Sequence, residues 1–246
     1  MGYSTIIYSH QEHIANITLN RPGVDNVINE ELARELAEVC QSINQDGNIY
    51  VVVITGAGEK AFCAGSEMTN TPYTVATMVA GIDRPVIAAI NGDALGQGLE
   101  LALSCDIRLT AETARFGLPQ VASGIIPGDG GTQRLPRIVG KAKALEMILT
   151  AQIINAGEAR EIGLVSKVVP RQNLAAEAEA LAGMIASKAP IALRYSKEAV
   201  DKGMDLTLEQ GLHLEADLYF LLHTTVDRTE GIKAFLEKRP AQFKGQ

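Results

Sequence analysis

Pro85-Val86-Ile87-Ala88-Ala89-Ile90-Asn91-Gly92-Asp93-Ala94-Leu95-Gly96-Gln97-Gly98-Leu99-Glu100 decides how this chain folds. Its first third is a continuous apolar run, as expected of a strand buried on both faces. Asn91-Gly92 breaks the run. Gly96-Gln97-Gly98 then opens a helix with Glu100 just inside it. Tyr50-Val51-Val52-Val53-Ile54-Thr55 repeats the strand pattern and ends in Gly56-Ala57-Gly58; Asp106-Ile107-Arg108-Leu109-Thr110-Ala111 is a third candidate. The stretches between these strands are long enough for helices. That predicts right-handed crossovers and an α/β layered core.

Upstream, residues 3–9 and 13–20 read as two short strands. Leu32, Leu36, Val39 and Ile43 fall on one face of a helix over 29–45, with Asn29 as its N-cap. From 141 onward the chain turns helical, at 141–151, 156–163, 174–188, 190–203 and 207–222, with one short strand at 164–169. No internal repeat is visible. A length of 246 residues suits one sizeable domain or one with a small appendage.

The net charge of −7 argues against non-specific nucleic-acid binding. Three scattered cysteines (Cys40, Cys63 and Cys105) read as reduced thiols of a cytoplasmic protein. The N-terminus has no signal-peptide pattern, and no apolar run reaches the length of a membrane span. The histidines lack ligand spacing, so no metal is expected.

Phe62-Cys63-Ala64-Gly65-Ser66-Glu67 is a second glycine-bearing turn after an apolar run. A helix start leaves its first N–H groups without intrahelical partners, and its dipole favours negative charge. Glycine lets a ligand approach the backbone closely. Two such turns can hold one carbonyl oxygen from two sides as an oxyanion hole. On glycines alone, tight turns and helix packing are the better explanation, because a lone glycine cluster is a weak signal.

The chain resembles the crotonase (enoyl-CoA hydratase/isomerase) superfamily. The resemblance is carried by Pro85 to Gly92, Gly96-Gln97-Gly98-Leu99-Glu100-Leu101-Ala102, Cys105-Asp106-Ile107, Ala114-Arg115-Phe116-Gly117-Leu118-Pro119 and Ile126-Pro127-Gly128-Asp129-Gly130-Gly131-Thr132-Gln133-Arg134-Leu135. It extends from Leu19-Asn20-Arg21-Pro22 to Ala234-Phe235-Leu236-Glu237-Lys238-Arg239-Pro240. It implies an α/β fold: a crotonase-like stack of ββα units over 1–190, then a C-terminal helical trimerisation region over 191–246. It further implies a homotrimer or homohexamer and an acyl-CoA thioester substrate, with coenzyme A part of that substrate and no separate cofactor.

By position, the resemblance makes the backbone N–H groups of Ala64 and Gln97 the oxyanion hole; Gln97 departs from the usual glycine. It places Cys63, Gly65, Gly96 and Gly128 against the substrate. Glu100 matches the first of two family glutamates. Gln120 stands where the second is expected, and a carboxamide cannot exchange a proton near neutral pH. Asp129 is a candidate replacement, although Asp is also a common turn residue. Glu67 reads as structural. Lys238, Arg239 and Lys244 are candidates for the coenzyme A phosphates, or simply solvated charges.

The implied reaction is hydration of an enoyl- or dienoyl-CoA, or its reverse, with Glu100 as acid and base. Double-bond isomerisation by one proton shuttle at Glu100 is the alternative, and a non-catalytic acyl-CoA-binding homologue is a third. The segment Ser66–Arg84 is shorter than in typical relatives, which suggests room for a bulky or cyclic acyl group.

Overall fold

A computed structural model describes residues 2–67 and 73–246. Strands β1 (Ile6–Gln11) and β2 (Ile14–Leu19) form an antiparallel hairpin. Helix α1 (Glu30–Gln45) starts at Asn29, whose side chain accepts from the Leu32 N–H, as the sequence predicts. Its apolar face, including Leu32, Leu36, Val39 and Ile43, is fully buried. There follow β3 (Val51–Gly56), β4 (Ala61–Cys63), α2 (Val75–Ala80), β5 (Val86–Ile90), β6 (Asp93–Leu95) and α3 (Gln97–Leu103). Next come β7 (Ile107–Ala111), β8 (Arg115–Gly117), α4 (Gly131–Val139), α5 (Lys141–Leu149), β9 (Ile153–Asn155), α6 (Ala156–Glu161), β10 (Lys167–Val169) and α7 (Leu174–Ala186). Helices α8 (Pro190–Gly203), α9 (Leu208–Leu222) and α10 (Val226–Glu237) close the chain.

The strands form two sheets. The larger has the order β1-β2-β3-β5-β7-β10, the smaller β4-β6-β8-β9. Successive pairs β3/β4, β5/β6 and β7/β8 each place one strand in the large sheet and the next in the small one. Pairing is parallel except at β1/β2 and β8/β9. This is the stacked ββα architecture that the resemblance implies.

The continuous apolar runs have a direct cause. Val52 and Ile54 of β3 face the main core with α1 and α3, while Val51 and Val53 face α7. The α7 residues meeting them are Leu174, Ala178 and Ala182, spaced by four along one helical face. Both faces of the large sheet are therefore covered. Glu35 of α1 is a buried carboxylate that ties down the N-terminus. It accepts from Ser4 N (2.9 Å), Ser4 Oγ (3.2 Å), Thr5 N (2.9 Å) and Thr5 Oγ1 (2.6 Å).

The structure adds elements that the sequence pattern does not show. The small sheet's four strands have three residues each, too few to display a period of two. The ββα units repeat without sequence repetition, because the small sheet's pairing is a backbone property that many side chains satisfy. Helix α2 and the separate helices α4 and α10 are likewise absent from the sequence reading. The strand expected over 164–169 narrows to Lys167–Val169, with Leu164 and Val165 buried ahead of it.

Candidate active site

The two glycine-bearing turns meet at the ends of β4 and β6. Gly98 explains how closely. A Cβ there would sit 1.9 Å from the Cys63 carbonyl oxygen and 2.6 Å from the Cys63 carbonyl carbon, so only glycine fits between α3 and β4. Gly65 (φ +128°) and Gly96 (φ +53°) both occupy backbone conformations that favour glycine. A Cβ on Gly96 would lie 3.9 Å from the Gly65 Cα.

The open amides differ in part from expectation. Ala64 N–H donates to the Asp25 carbonyl at 3.0 Å, so that donor is already engaged. Gly65 carbonyl accepts from Ile28 N–H, and Glu67 N–H donates to the Ile28 carbonyl. Between them, Ser66 N–H makes no hydrogen bond to a described residue. Gln97 N–H is the first of α3, where no intrahelical acceptor exists, and it too is unpaired among the described residues. Ala64 N–H is therefore engaged, whereas Gly65 and Ser66 on the first turn and Gln97 and Gly98 on the second keep N–H groups without an acceptor among the described residues. Residues 64–66 all sit in one turn, and only pairing to the Asp25–Ile28 segment separates the Ala64 amide from those of Gly65 and Ser66.

Glu100 lies one turn into α3 and is 1 % exposed. Its Oε1 accepts from Asp129 N–H and Gly131 N–H, both at 2.8 Å. Its Oε2 faces the Gln120 carboxamide, with Nε2 at 3.4 Å. One oxygen is thus held by two backbone amides, and the other meets only the Gln120 carboxamide among the described residues. Burial pushes the Glu100 carboxyl above the usual carboxylate range. The amides of Gly131 and Asp129 pull against that shift, and the Asp129 charge adds to it. Gly131 must be glycine because a Cβ would approach Pro127 Cβ at 2.8 Å and Glu100 Oε1 at 3.0 Å.

Gln120 and Gln97 each carry a buried Oε1 without a hydrogen-bond partner among the described residues. The Gln97 Nε2 donates to the Tyr73 carbonyl and stands 3.5 Å from Asp129 Oδ2. Both neighbours are acceptors, which fixes the amide's orientation. The side chain of Gln97 thus reaches the residues just ahead of α2.

Asp129 is 3 % exposed, and its carboxylate is engaged by α2. It accepts from Ala76 N–H (2.6 Å), Thr77 N–H (3.2 Å) and Thr77 Oγ1 (2.8 Å), all on α2. Arg134 Nη1 donates to the Asp129 carbonyl at 2.7 Å and lies over Gly130. Gly128 beside it is exposed. The roles of Thr77 and Arg134 had no sequence signal, since both act through contacts across elements.

The Cys63 thiol is fully buried, and burial pushes it up to about 12, so it is a packed thiol and not a nucleophile. Glu67 pairs with Arg21 at 3.2 Å on the surface. Arg239 pairs with Glu230 and Glu237, each at 2.7 Å. Among the described residues, no group of three or more His, Cys, Asp or Glu is placed to hold a metal ion, and no helix is long and apolar enough to cross a membrane. Of the segment Ser66–Arg84, residues 68–72 lie outside those described.

A buried carboxylate beside two turns with open backbone amides, set on stacked ββα units, defines a protein of the crotonase class. The chain belongs to the enoyl-CoA hydratase/isomerase family, whose model matches residues 9–246. It is 42 % identical over 257 residues to the crotonyl-CoA hydratase of Syntrophomonas wolfei, covering 99 % of each chain. It is also 42 % identical over 246 residues to the (E)-benzylidenesuccinyl-CoA hydratase of Thauera aromatica, covering 95 % of this chain and 96 % of that one. The crystal structure of an enoyl-CoA hydratase from Bacillus anthracis superposes with a TM-score of 0.95 at 43 % identity, over 99 % of this chain and 100 % of that one.

Proposed function

We propose that the protein hydrates an enoyl-CoA thioester to the 3-hydroxyacyl-CoA, with Glu100 as the single proton-transfer group. The observation that carries this is the asymmetry of Glu100. Two backbone amides hold Oε1, and among the described residues Oε2 meets only a carboxamide.

The thioester oxygen accepts from Ser66 and Gln97 N–H. Water held between Glu100 Oε2 and the Gln120 Oε1 adds its oxygen to Cβ while its proton passes to Oε2. The Cα=Cβ electron pair moves onto the thioester as an enolate, which the two amides stabilise; each such donor contributes on the order of 10²–10³ in rate. Glu100 then returns the proton to Cα. The raised carboxyl makes Oε2 a stronger base toward the attacking water than an ordinary carboxylate. One group performs both transfers, so H and OH add to the same face. The Gln120 oxygen, unpartnered among the described residues, suits an acceptor for the second water hydrogen. No cofactor enters the reaction.

Gln120 in place of a second carboxylate also favours isomerisation, which needs only one proton shuttle. Reaction in heavy-oxygen water separates the two. Label in the product supports hydration, and a product of unchanged mass with a moved double bond supports isomerisation. Thioester binding without turnover of any substrate would leave only a binding protein.

The acyl group is not decided by overall identity: relatives at the same 42 % are named for crotonyl and for benzylidenesuccinyl thioesters. A short cover over the site favours a bulky or cyclic acyl chain. Turnover of a cyclic dienoyl-CoA against crotonyl-CoA tests this, and a clear preference for the linear substrate contradicts it.

The region 191–246 supplies subunit contacts on the core of 1–190. Leu208 (80 % exposed), Phe235 (83 %) and Leu236 (74 %) support this, because apolar side chains so exposed are usually covered. A homotrimer or homohexamer is expected by light scattering; a monomer contradicts the reading.

A further inference from the structure

Asp129 does more than shape a turn. Its N–H holds Glu100 Oε1 at 2.8 Å, its carbonyl is held by Arg134 at 2.7 Å, and its buried carboxylate takes three hydrogen bonds from Ala76 and Thr77 of α2. The Gln97 carboxamide adds a second link, between the Tyr73 carbonyl and Asp129 Oδ2. Gln97 also supplies one of the open amides. Among the described residues, every hydrogen bond that joins the segment 73–77 to α3 and the 127–131 turn therefore runs through Asp129 or Gln97.

We propose that Asp129 is a positioning residue: its carboxylate docks α2 and thereby fixes the backbone amide that holds Glu100 in reacting geometry. This rests on the reading of Glu100 as the proton-transfer group. Asp129 transfers no proton. Three donors from α2 and the Gln97 Nε2 at 3.5 Å take up the lone pairs of its carboxylate, and its own backbone N–H is what touches Glu100. Thr77, outside contact with Glu100, belongs to the same strut through its hydroxyl and amide.

The test uses the full-length protein with crotonyl-CoA and compares Asp129→Asn, Asp129→Ala, Thr77→Val, the double variant Asp129→Ala with Thr77→Val, and Glu100→Gln. An asparagine still accepts from Ala76 N–H and can donate to Thr77 Oγ1, so the strut is mostly kept. Misplacing a reacting group by an ångström lowers rate on the order of 10²-fold, so Asp129→Ala is expected to lower kcat by about 10–100-fold with KM changed less than about threefold. Asp129→Asn is expected to stay within about fivefold of wild type, and Thr77→Val to lose about three- to tenfold in kcat. The double variant is expected to be no worse than Asp129→Ala alone, because the two substitutions break one connection.

If Asp129→Asn is as inactive as Asp129→Ala while melting like wild type, Asp129 is a proton donor and the proposal is overturned. Unchanged kcat in Thr77→Val overturns it as well, and that variant serves if Asp129→Ala does not fold. Glu100→Gln keeps the two readings apart. Its activity at wild-type level would remove the base assignment itself, whereas its inactivity beside a failed strut would remove only the positioning role.

Discussion

Gly98→Ala is the sharpest structural perturbation of the site. The added methyl would stand 1.9 Å from the Cys63 oxygen, 2.6 Å from its carbonyl carbon and 2.9 Å from its Cβ. These are atoms of β4, not the far end of a flexible side chain, so β4 and the start of α3 must separate. Relieving the clash to van der Waals distance needs a shift of at least about 1 Å in an interior that is already close-packed. Overpacking of this kind costs about 1–3 kcal/mol. At about 2–4 °C per kcal/mol for a chain of this size, the melting temperature should fall by roughly 2–12 °C. The same shift widens the gap between Ser66 and Gln97, whose amides lie on the two separating elements. Turnover should fall on the order of 10²-fold beyond the stability effect. Thermal melts and steady-state hydration of crotonyl-CoA read both quantities. Gly183→Ala is the control: a Cβ there meets nothing within 4 Å, and its helix should tighten. If Gly98→Ala melts with wild type and hydrates at the wild-type rate, the two turns are not in the contact described.

Two further outcomes follow from buried carboxylates. Glu100 is held above the ordinary carboxylate range chiefly by burial. The acid limb of kcat/KM should therefore lie at higher pH than for a solvated glutamate, with activity lost as pH falls through that raised value. A raised folded-state value also means that the ionised form destabilises the fold above it, and that this is relieved as pH falls. A pH–rate profile checks the first point. Glu35 is the opposite case. Burial raises its carboxyl, but the hydrogen bonds from Ser4 and Thr5 outweigh burial and leave it lowered. Its stabilisation is present above the unfolded value and lost as pH falls through the folded one, below about pH 4. Glu35→Ala strands the buried Thr5 donors, so it should cost about 2–3 kcal/mol at neutral pH in a denaturant melt and less in acid.

Much of the fold was legible because its largest parts have periodicity. Helix α1 shows both its cap and its stripe. The strands β3 and β5 show two-sided burial as unbroken apolar runs. The small sheet was not legible, since β4, β6, β8 and β9 are held by pairing rather than by pattern. The site divides in the same way. Glu100 and Gln97 were visible through the glycines around them, and Gln120 through its place in the resemblance. Ser66 could be told from Ala64 only once Asp25 and Ile28 were seen to use up the neighbouring amides and carbonyls. Asp129 looked like a spare acid. Its contacts with Ala76 and Thr77 span more than fifty residues of sequence, and no local signal encodes them.

Central to this account is the claim that one carboxylate carries both proton transfers of hydration. The direct measurement is the rate of crotonyl-CoA hydration by Glu100→Gln, with thioester affinity and melting temperature measured on the same protein. A neutral amide keeps the shape and relieves a buried charge, so the variant should fold and melt at or above the wild-type temperature. It should bind the thioester within a few-fold and lose turnover by about 10³-fold or more, as expected for removal of the proton-transfer group. Turnover within a few-fold of wild type would contradict the account.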